Sequence, residues 1–277
     1  MFTLNCNGRL LYADKPLVMG VINATPDSFY EDSRSETVSD TLQMAESMLH
    51  DGADILDIGG QSTRPGSQPV DEEEELKRVI KAITAVHNRF PEAIISIDTW
   101  HAKVARESVA AGASIVNDTS AGSLDSEMLT TVSSLHVPYI LMHMQGTPQT
   151  MQQSPKYSNV TAEVLDFFIQ RSELLKKMGI KDIIIDPGFG FGKTIAHNFE
   201  LLRNLSVFKI TGLPILIGLS RKSTISKTLD ITTQESLNGT TVMNTIGLLN
   251  GADIIRVHDV KEARQAVKLV EAYRQKL

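Results

Sequence analysis

The chain carries a single cysteine, Cys6, so no disulfide can form within it. That fits a reducing compartment, and the expected role of the thiol is that of a small buried residue in an N-terminal strand. No uninterrupted apolar run approaches the ~18 residues a membrane-spanning helix needs. The opening MFTLNCNGRLLYADK has neither a basic start followed by an apolar core nor a cleavage-like site, so a cytoplasmic protein without membrane contact is expected. Basic runs are absent too. Lys and Arg together number 27 against 33 Asp and Glu, a formal charge of −6, and no basic stripe compensates for it, which argues against nucleic acid as a partner. Linkers, low-complexity tracts and tandem repeats are missing as well. Length alone would suggest about two domains, but the strand pattern below makes residues 1–277 one domain.

What the chain does have is eight strand-like apolar runs, nearly all ending in a polar cluster. They read LVMGVI before Asn23, ADILDIGG before Thr63 and Arg64, AIISI before Asp98, ASIV before Asn117, VPYILM before His143, DIII before Asp186, LPILIGL before Arg221 and Lys222, and ADII before Arg256 and His258. Amphipathic helical stretches separate them, at 37–50, 71–89, 102–111, 126–135, 159–178, 196–206, 235–250 and 260–276. Ser123 or Asp125 is expected to cap the fourth, and Gly52, Gly112, Gly179 and Gly251 stand where glycines end helices. Strict alternation of this kind predicts a (β/α)8 TIM barrel, in which all strand ends converge on one face. Residues 1–15 precede it as a β-hairpin turning at Asn7–Gly8 and covering the closed bottom. A doubly wound open sheet shares the alternation, but no GxGxxG follows the first strand and the polar ends do not cluster at one switch point.

Several chemistries are excluded by missing motifs: HExxH or paired Cys/His for tightly held zinc, and a GxSxG elbow for serine hydrolysis. GFGFGKT lacks the four-residue gap of an NTP-binding loop, and Asp186 already occupies its strand end. Asp98, Asn117 and Asp186 should project into one pocket. Carboxylates accept paired N–H bonds and an amide both donates and accepts, a pattern suited to the 2-amino-4-oxo edge of a pterin- or guanine-like ring. SRKS at 220–223 starts a helix, whose free N–H groups beside Lys222 and Ser223 suit a phosphate or a carboxylate. Arg256 and His258, two apart on one strand face and near Asn23, Thr63 and Arg64, suit a diphosphate. His143 reads more readily as a hydrogen-bonded packing residue than as a catalyst.

Eight strings, taken in order, resemble those of the dihydropteroate synthase family: MGVINATPDSF (19–29), DIGGQSTRPG (57–66), SIDT (96–99), NDTSAG (117–122), LMHMQGTPQTMQ (141–152), DPGFGFGK (186–193), GLSRKS (218–223) and RVHDVKE (256–262). The resemblance implies a transferase of folate biosynthesis and a sulfonamide target. Such an enzyme condenses 6-hydroxymethyl-7,8-dihydropterin diphosphate with p-aminobenzoate on a barrel, as a homodimer joined through outer helices. It further implies that Asp98, Asn117, Asp186 and Lys222 bind the pterin, with Met142 and Phe191 as apolar walls and Arg256 stacked on the ring. Asn23, Thr63, Arg64, Arg256 and His258 would hold the diphosphate, with Mg2+ bound by its oxygens and Asn23. Ser223, with Thr63 and Lys222, would take the aminobenzoate, covered by Phe29 and Pro65. Asp98, Lys222, Arg256 and His258 are the residues expected to act on the reacting centre. Two features depart from the family pattern, both on the second-substrate side: Tyr30, Glu31 and Ser33 in the first loop, and Gln61 where a glutamate is usual. A methyltetrahydrofolate-dependent methyltransferase would share the Asp/Asn edge recognition but has no need of a diphosphate cradle.

Overall fold

The computed structural model describes residues 1–24, 36–61 and 70–275. It begins with an antiparallel hairpin, β1 (Phe2–Cys6) and β2 (Arg9–Ala13), paired from Phe2 opposite Ala13 to Cys6 opposite Arg9. The turn residues Asn7 and Gly8 have φ of 53° and 86°, the left-handed pair that matches strand twist in a two-residue turn.

Eight parallel strands follow: β3 (Leu17–Asn23), β4 (Ile55–Gly59), β5 (Ile94–Asp98), β6 (Ile115–Asp118), β7 (Tyr139–Met142), β8 (Ile183–Asp186), β9 (Leu216–Ile217) and β10 (Ile254–Val257). Each pairs with its sequence neighbour, and β10 returns to β3 with Ile254 opposite Leu17. The remaining seam, β8 to β9, is closed by a single parallel bridge between Ile185 and Ile215. The expected barrel is therefore present. Around it run α1 (Glu36–Asp51), α2 (Glu72–Arg89), α3 (Ala102–Ala110), α4 (Met128–Leu135), α5 (Val160–Lys177), α6 (Ile195–Arg203), α7 (Ser223–Leu229), α8 (Leu237–Leu249) and α9 (Val260–Arg274).

Helix ends follow local chemistry, with two corrections. Asp71 and Asn159 cap α2 and α5 by accepting from Glu74 N and Ala162 N, and Gly52, Gly112, Gly179 and Gly251 all take positive φ where helices end. Asp125, however, does not cap α4. Its two oxygens accept from Ala102 N, at the start of α3, and from Glu127 N, while Ser123 donates to the Ser120 carbonyl. The sixth helix stops at Arg203 instead of running to 206. Asn204 leaves helical geometry, its amide donating to Thr161 on α5, and a 3-10 segment, Leu205–Thr211, buries Leu205 and Phe208 before Gly212 ends it at φ 68°.

Two apolar layers form the core. Residues of one parity on the strands, such as Val18, Leu56, Ile95, Val116, Leu141 and Ile255, pack outward against the helices. Those of the other parity near the strand starts, Leu17, Met19, Ile55, Ile94, Ile115, Ile140, Ile184, Leu216 and Ile254, fill the barrel interior and pack on Leu4, Cys6 and Ala13 of the hairpin. The hairpin thus seals the bottom, and burial pushes the Cys6 thiol up to about 12.

Candidate active site

Alternation along a strand decides what reaches the upper half of the interior. Ile55 packs inward on β4, so Asp57 does too; by the same step of two Ile94 leads to Ser96 and Asp98, Ile115 to Asn117, Ile140 to Met142, Ile184 to Asp186 and Ile254 to Arg256. Apolar below and charged above, the barrel carries its polar layer on the face where the strands end.

The charges pair across the hollow. Arg256 Nε donates to Asp57 Oδ2 at 2.5 Å and its Nη2 to Asp98 Oδ2 at 2.6 Å; Asn117 Nδ2 donates to the same Asp57 oxygen at 2.9 Å. Burial opposes the guanidinium's charge, but Asp57 and Asp98 outweigh it and hold Arg256 above its ordinary range. For Asp98, burial dominates: against the pull of Arg256, and with Asp57, Glu75 and Asp118 adding repulsion, the carboxyl is pushed up to about 7. The buried Asp57 keeps one oxygen, Oδ1, without a hydrogen-bond partner among the described residues.

On the opposite wall, Asp186 Oδ1 accepts the Gly188 N–H at 2.8 Å, and burial raises its carboxyl despite Lys222, Lys193 and Arg256 nearby. Lys222 stands at the N-cap position of α7, and its Nζ donates to the Phe189 carbonyl and lies 4.7 Å from the Phe191 ring centre. Burial lowers it to about 8, with Asp186 pulling the other way. Cation and acid share one cavity, so each limits the cost of burying the other. Asn23 is exposed at the end of β3, and Ser223 is exposed at the first turn of α7. His258, just beyond β10, has Nδ1 3.0 Å from Ser220 Oγ, and its own backbone N–H donates to that oxygen at 3.2 Å.

Asp98, Asn117, Met142, Asp186, Phe191, Lys222 and Arg256 thus converge as expected, with Asn23, Ser223 and His258 at the rim. Phe29, Thr63, Arg64 and Pro65 lie outside the described residues, as do Tyr30, Glu31 and Ser33. Gln61 is described and buried; its amide donates to Glu75 Oε2 at 2.5 Å on α2. A glutamate there would need a proton to make that bond. Burial raises the Glu75 carboxyl, with Gln61 and Thr99 hydrogen bonds opposing.

Two participants escaped the sequence reading. Asp57 sits inside the apolar run ILDIG, and only its parity with Ile55 marks it as inward-facing. Lys193 is buried, its Nζ within 3.0–3.2 Å of the carbonyls of Gly188, Phe191 and His143 and of His143 Nδ1. The lysine that mimics an NTP-binding loop therefore faces the protein's own carbonyls. His143 is the packing residue the sequence suggested: buried, edge-on to Phe167 at 5.0 Å, and held near 3 by burial and then by Lys193.

Similarity to known proteins agrees with this geometry. A family model described as pterin binding enzyme matches residues 19–258. The dihydropteroate synthase of Escherichia coli (strain K12) is 44% identical over 271 residues, 97% of this chain and 95% of that protein. Among solved structures, Xanthomonas albilineans dihydropteroate synthase with 4-aminobenzoic acid superposes with a TM-score of 0.92 at 38% identity, covering 99% of each chain. Yersinia pestis dihydropteroate synthase in complex with a sulfonamide drug gives 0.92 at 41% identity, again over 99% of each. Likeness of this extent, over nearly the whole chain, makes it a member of the dihydropteroate synthase family.

Proposed function

We infer that this chain condenses 6-hydroxymethyl-7,8-dihydropterin diphosphate with p-aminobenzoate, giving 7,8-dihydropteroate and pyrophosphate. One observation carries the reading: Asp98, Asn117 and Asp186 line the same hollow as two cations, Arg256, which Asp57 and Asp98 hold in place, and Lys222. A pterin needs the first, and a diphosphate arm needs the second.

The reacting carbon is a methylene attached to an electron-rich ring, so bond breaking to the diphosphate can run ahead of attack by the amine. Positive charge then grows on the ring and negative charge on the leaving group. Asp98 and Asp186 face the first; Arg256 and His258, with Arg64 and Thr63, would receive the second. Two guanidinium N–H groups of Arg256 are already committed to Asp57 and Asp98, which sets the plane of its cation before substrate arrives and lets it stack on the ring. Met142 and Phe191 would wall the heterocycle. An aniline nitrogen is already neutral at pH 7, so no strong base is demanded, and Lys222 and Ser223 at the start of α7 would take the aminobenzoate carboxylate. Phe29 and Pro65 would cover its ring.

Mg2+ suits the same rim. Asn23 offers an exposed hard oxygen at the end of β3, and Mg2+ commonly takes one or two protein ligands and completes its shell with phosphate oxygens and water. Bound there it would supply charge neutralisation to the diphosphate. The His/carboxylate group found among the described residues, Glu72, His101 and Asp125, is a poorer fit because backbone N–H groups occupy both Asp125 oxygens.

A homodimer is supported by exposed apolar residues on neighbouring outer helices: Val242, Ile246 and Leu249 along one side of α8, Leu269 and Tyr273 on α9. A lone buried cysteine, which can form no disulfide within the chain, fits a cytoplasmic setting. The test of function is pyrophosphate release on mixing the two substrates, with and without p-aminobenzoate and again with a sulfonamide. Release that requires p-aminobenzoate and falls with the drug is expected; pterin diphosphate binding without turnover would overturn the assignment.

A further inference from the structure

The loop 188–192 after β8 lacks a backbone ladder. Its carbonyls are held largely by side chains: Phe189 by Lys222, Gly190 by Gln152, Gly192 by Tyr157, and both Gly188 and Phe191 by Lys193. Lys193 alone grips two of them and also reaches the end of β7, at the His143 carbonyl and Nδ1. Contact is close enough that a side chain at Gly188 would put its Cβ 1.9 Å from the His143 carbonyl oxygen. An ammonium has three N–H donors and here meets four acceptors, so it is shared among them. Burial lowers Lys193 to about 7, with Asp186 pulling the other way; when it is protonated it can only donate to Nδ1, and the neutral His143 then carries its proton on Nε2.

We propose that Lys193 is a positioning residue for the pterin pocket: its ammonium ties Gly188 and Phe191 to His143, and so fixes the Phe189 carbonyl and Phe191 ring that receive Lys222. This rests on the reading of the hollow as a pterin site. Lys193 touches neither substrate. Its removal leaves the Phe191 and His143 carbonyls without their donor and frees Lys222 to leave the heterocycle's edge.

The test compares Lys193→Met, His143→Leu and His143→Asn with the wild type, reading pterin diphosphate affinity by calorimetry and the KM of each substrate. Lys193→Met should weaken pterin affinity by about tenfold or more, the scale of buried acceptors losing a charged donor. KM for p-aminobenzoate should rise less than pterin affinity falls, since Lys222 would serve both substrates but Ser223 and the backbone N–H groups at the start of α7 lie outside the stapled loop. His143→Leu should act in the same direction. His143→Asn, whose amide oxygen can replace Nδ1 as acceptor, should restore most of the loss, which decides the matter even if Lys193→Met fails to fold. Unchanged pterin affinity in Lys193→Met or His143→Leu, or equal losses for both substrates, would overturn the proposal. Absence of pterin binding by the wild type would instead sink the functional reading on which it stands.

Discussion

Replacing Asp186 separates two tasks of one carboxylate. Oδ1 accepts the Gly188 N–H, which ties β8 to the glycine-rich loop, while Oδ2 is the oxygen proposed for the heterocycle. Asparagine keeps an oxygen for Gly188 but loses the charge and turns N–H donors toward the donors of the ligand. Loss of a hydrogen bond to a charged group costs ~1.5–3 kcal/mol, so pterin diphosphate should bind roughly 10- to 150-fold more weakly to Asp186→Asn. Alanine removes both partners. It should lose as much affinity and, by orphaning the Gly188 N–H, a further ~1–3 kcal/mol of stability. For a chain of this size that is a fall in Tm of roughly 2–4 °C per kcal/mol. Calorimetry with the pterin diphosphate alone, beside thermal melts of all three proteins, reads both quantities. Wild-type affinity in Asp186→Asn would refute the assignment of this carboxylate to the pterin.

Two other outcomes follow from the same charges and packing. Asp98 is raised from 3.8 to about 7, so the folded chain holds this proton more tightly than the unfolded one and ligand-free stability through this group falls as pH rises from about 4 to about 7. Asp98→Asn should flatten that slope in thermal melts from pH 4.5 to 7.5; an identical slope in the variant would show that another group is responsible. Leu4, buried on the lower barrel layer, should cost about 2–5 kcal/mol of stability in urea unfolding when cut to alanine, with kcat unchanged, because the plug lies at the opposite end from the site. A kcat loss without a stability loss would mean the hairpin does something other than seal the bottom.

Much of this molecule was written locally in the chain. Strand–helix alternation, the Asn7–Gly8 turn and the glycines ending helices are short-range preferences, and the period of two sends Asp98, Asn117, Asp186 and Arg256 to one side of their strands without further help. Barrel closure then makes them neighbours. What the chain alone did not disclose depends on partners far away in sequence. Asp57 looks like a stray acid in an apolar strand until β10, 199 residues later, sets Arg256 beside it. Lys193 resembles a phosphate-binding lysine until packing turns it onto its own loop and His143, and Asp125 caps α3 rather than its own helix because the two starts meet only in the fold. Local propensity specifies which elements form and which way their side chains point; which charge neutralises which is a matter of a few ångströms, and only the closed barrel sets those distances.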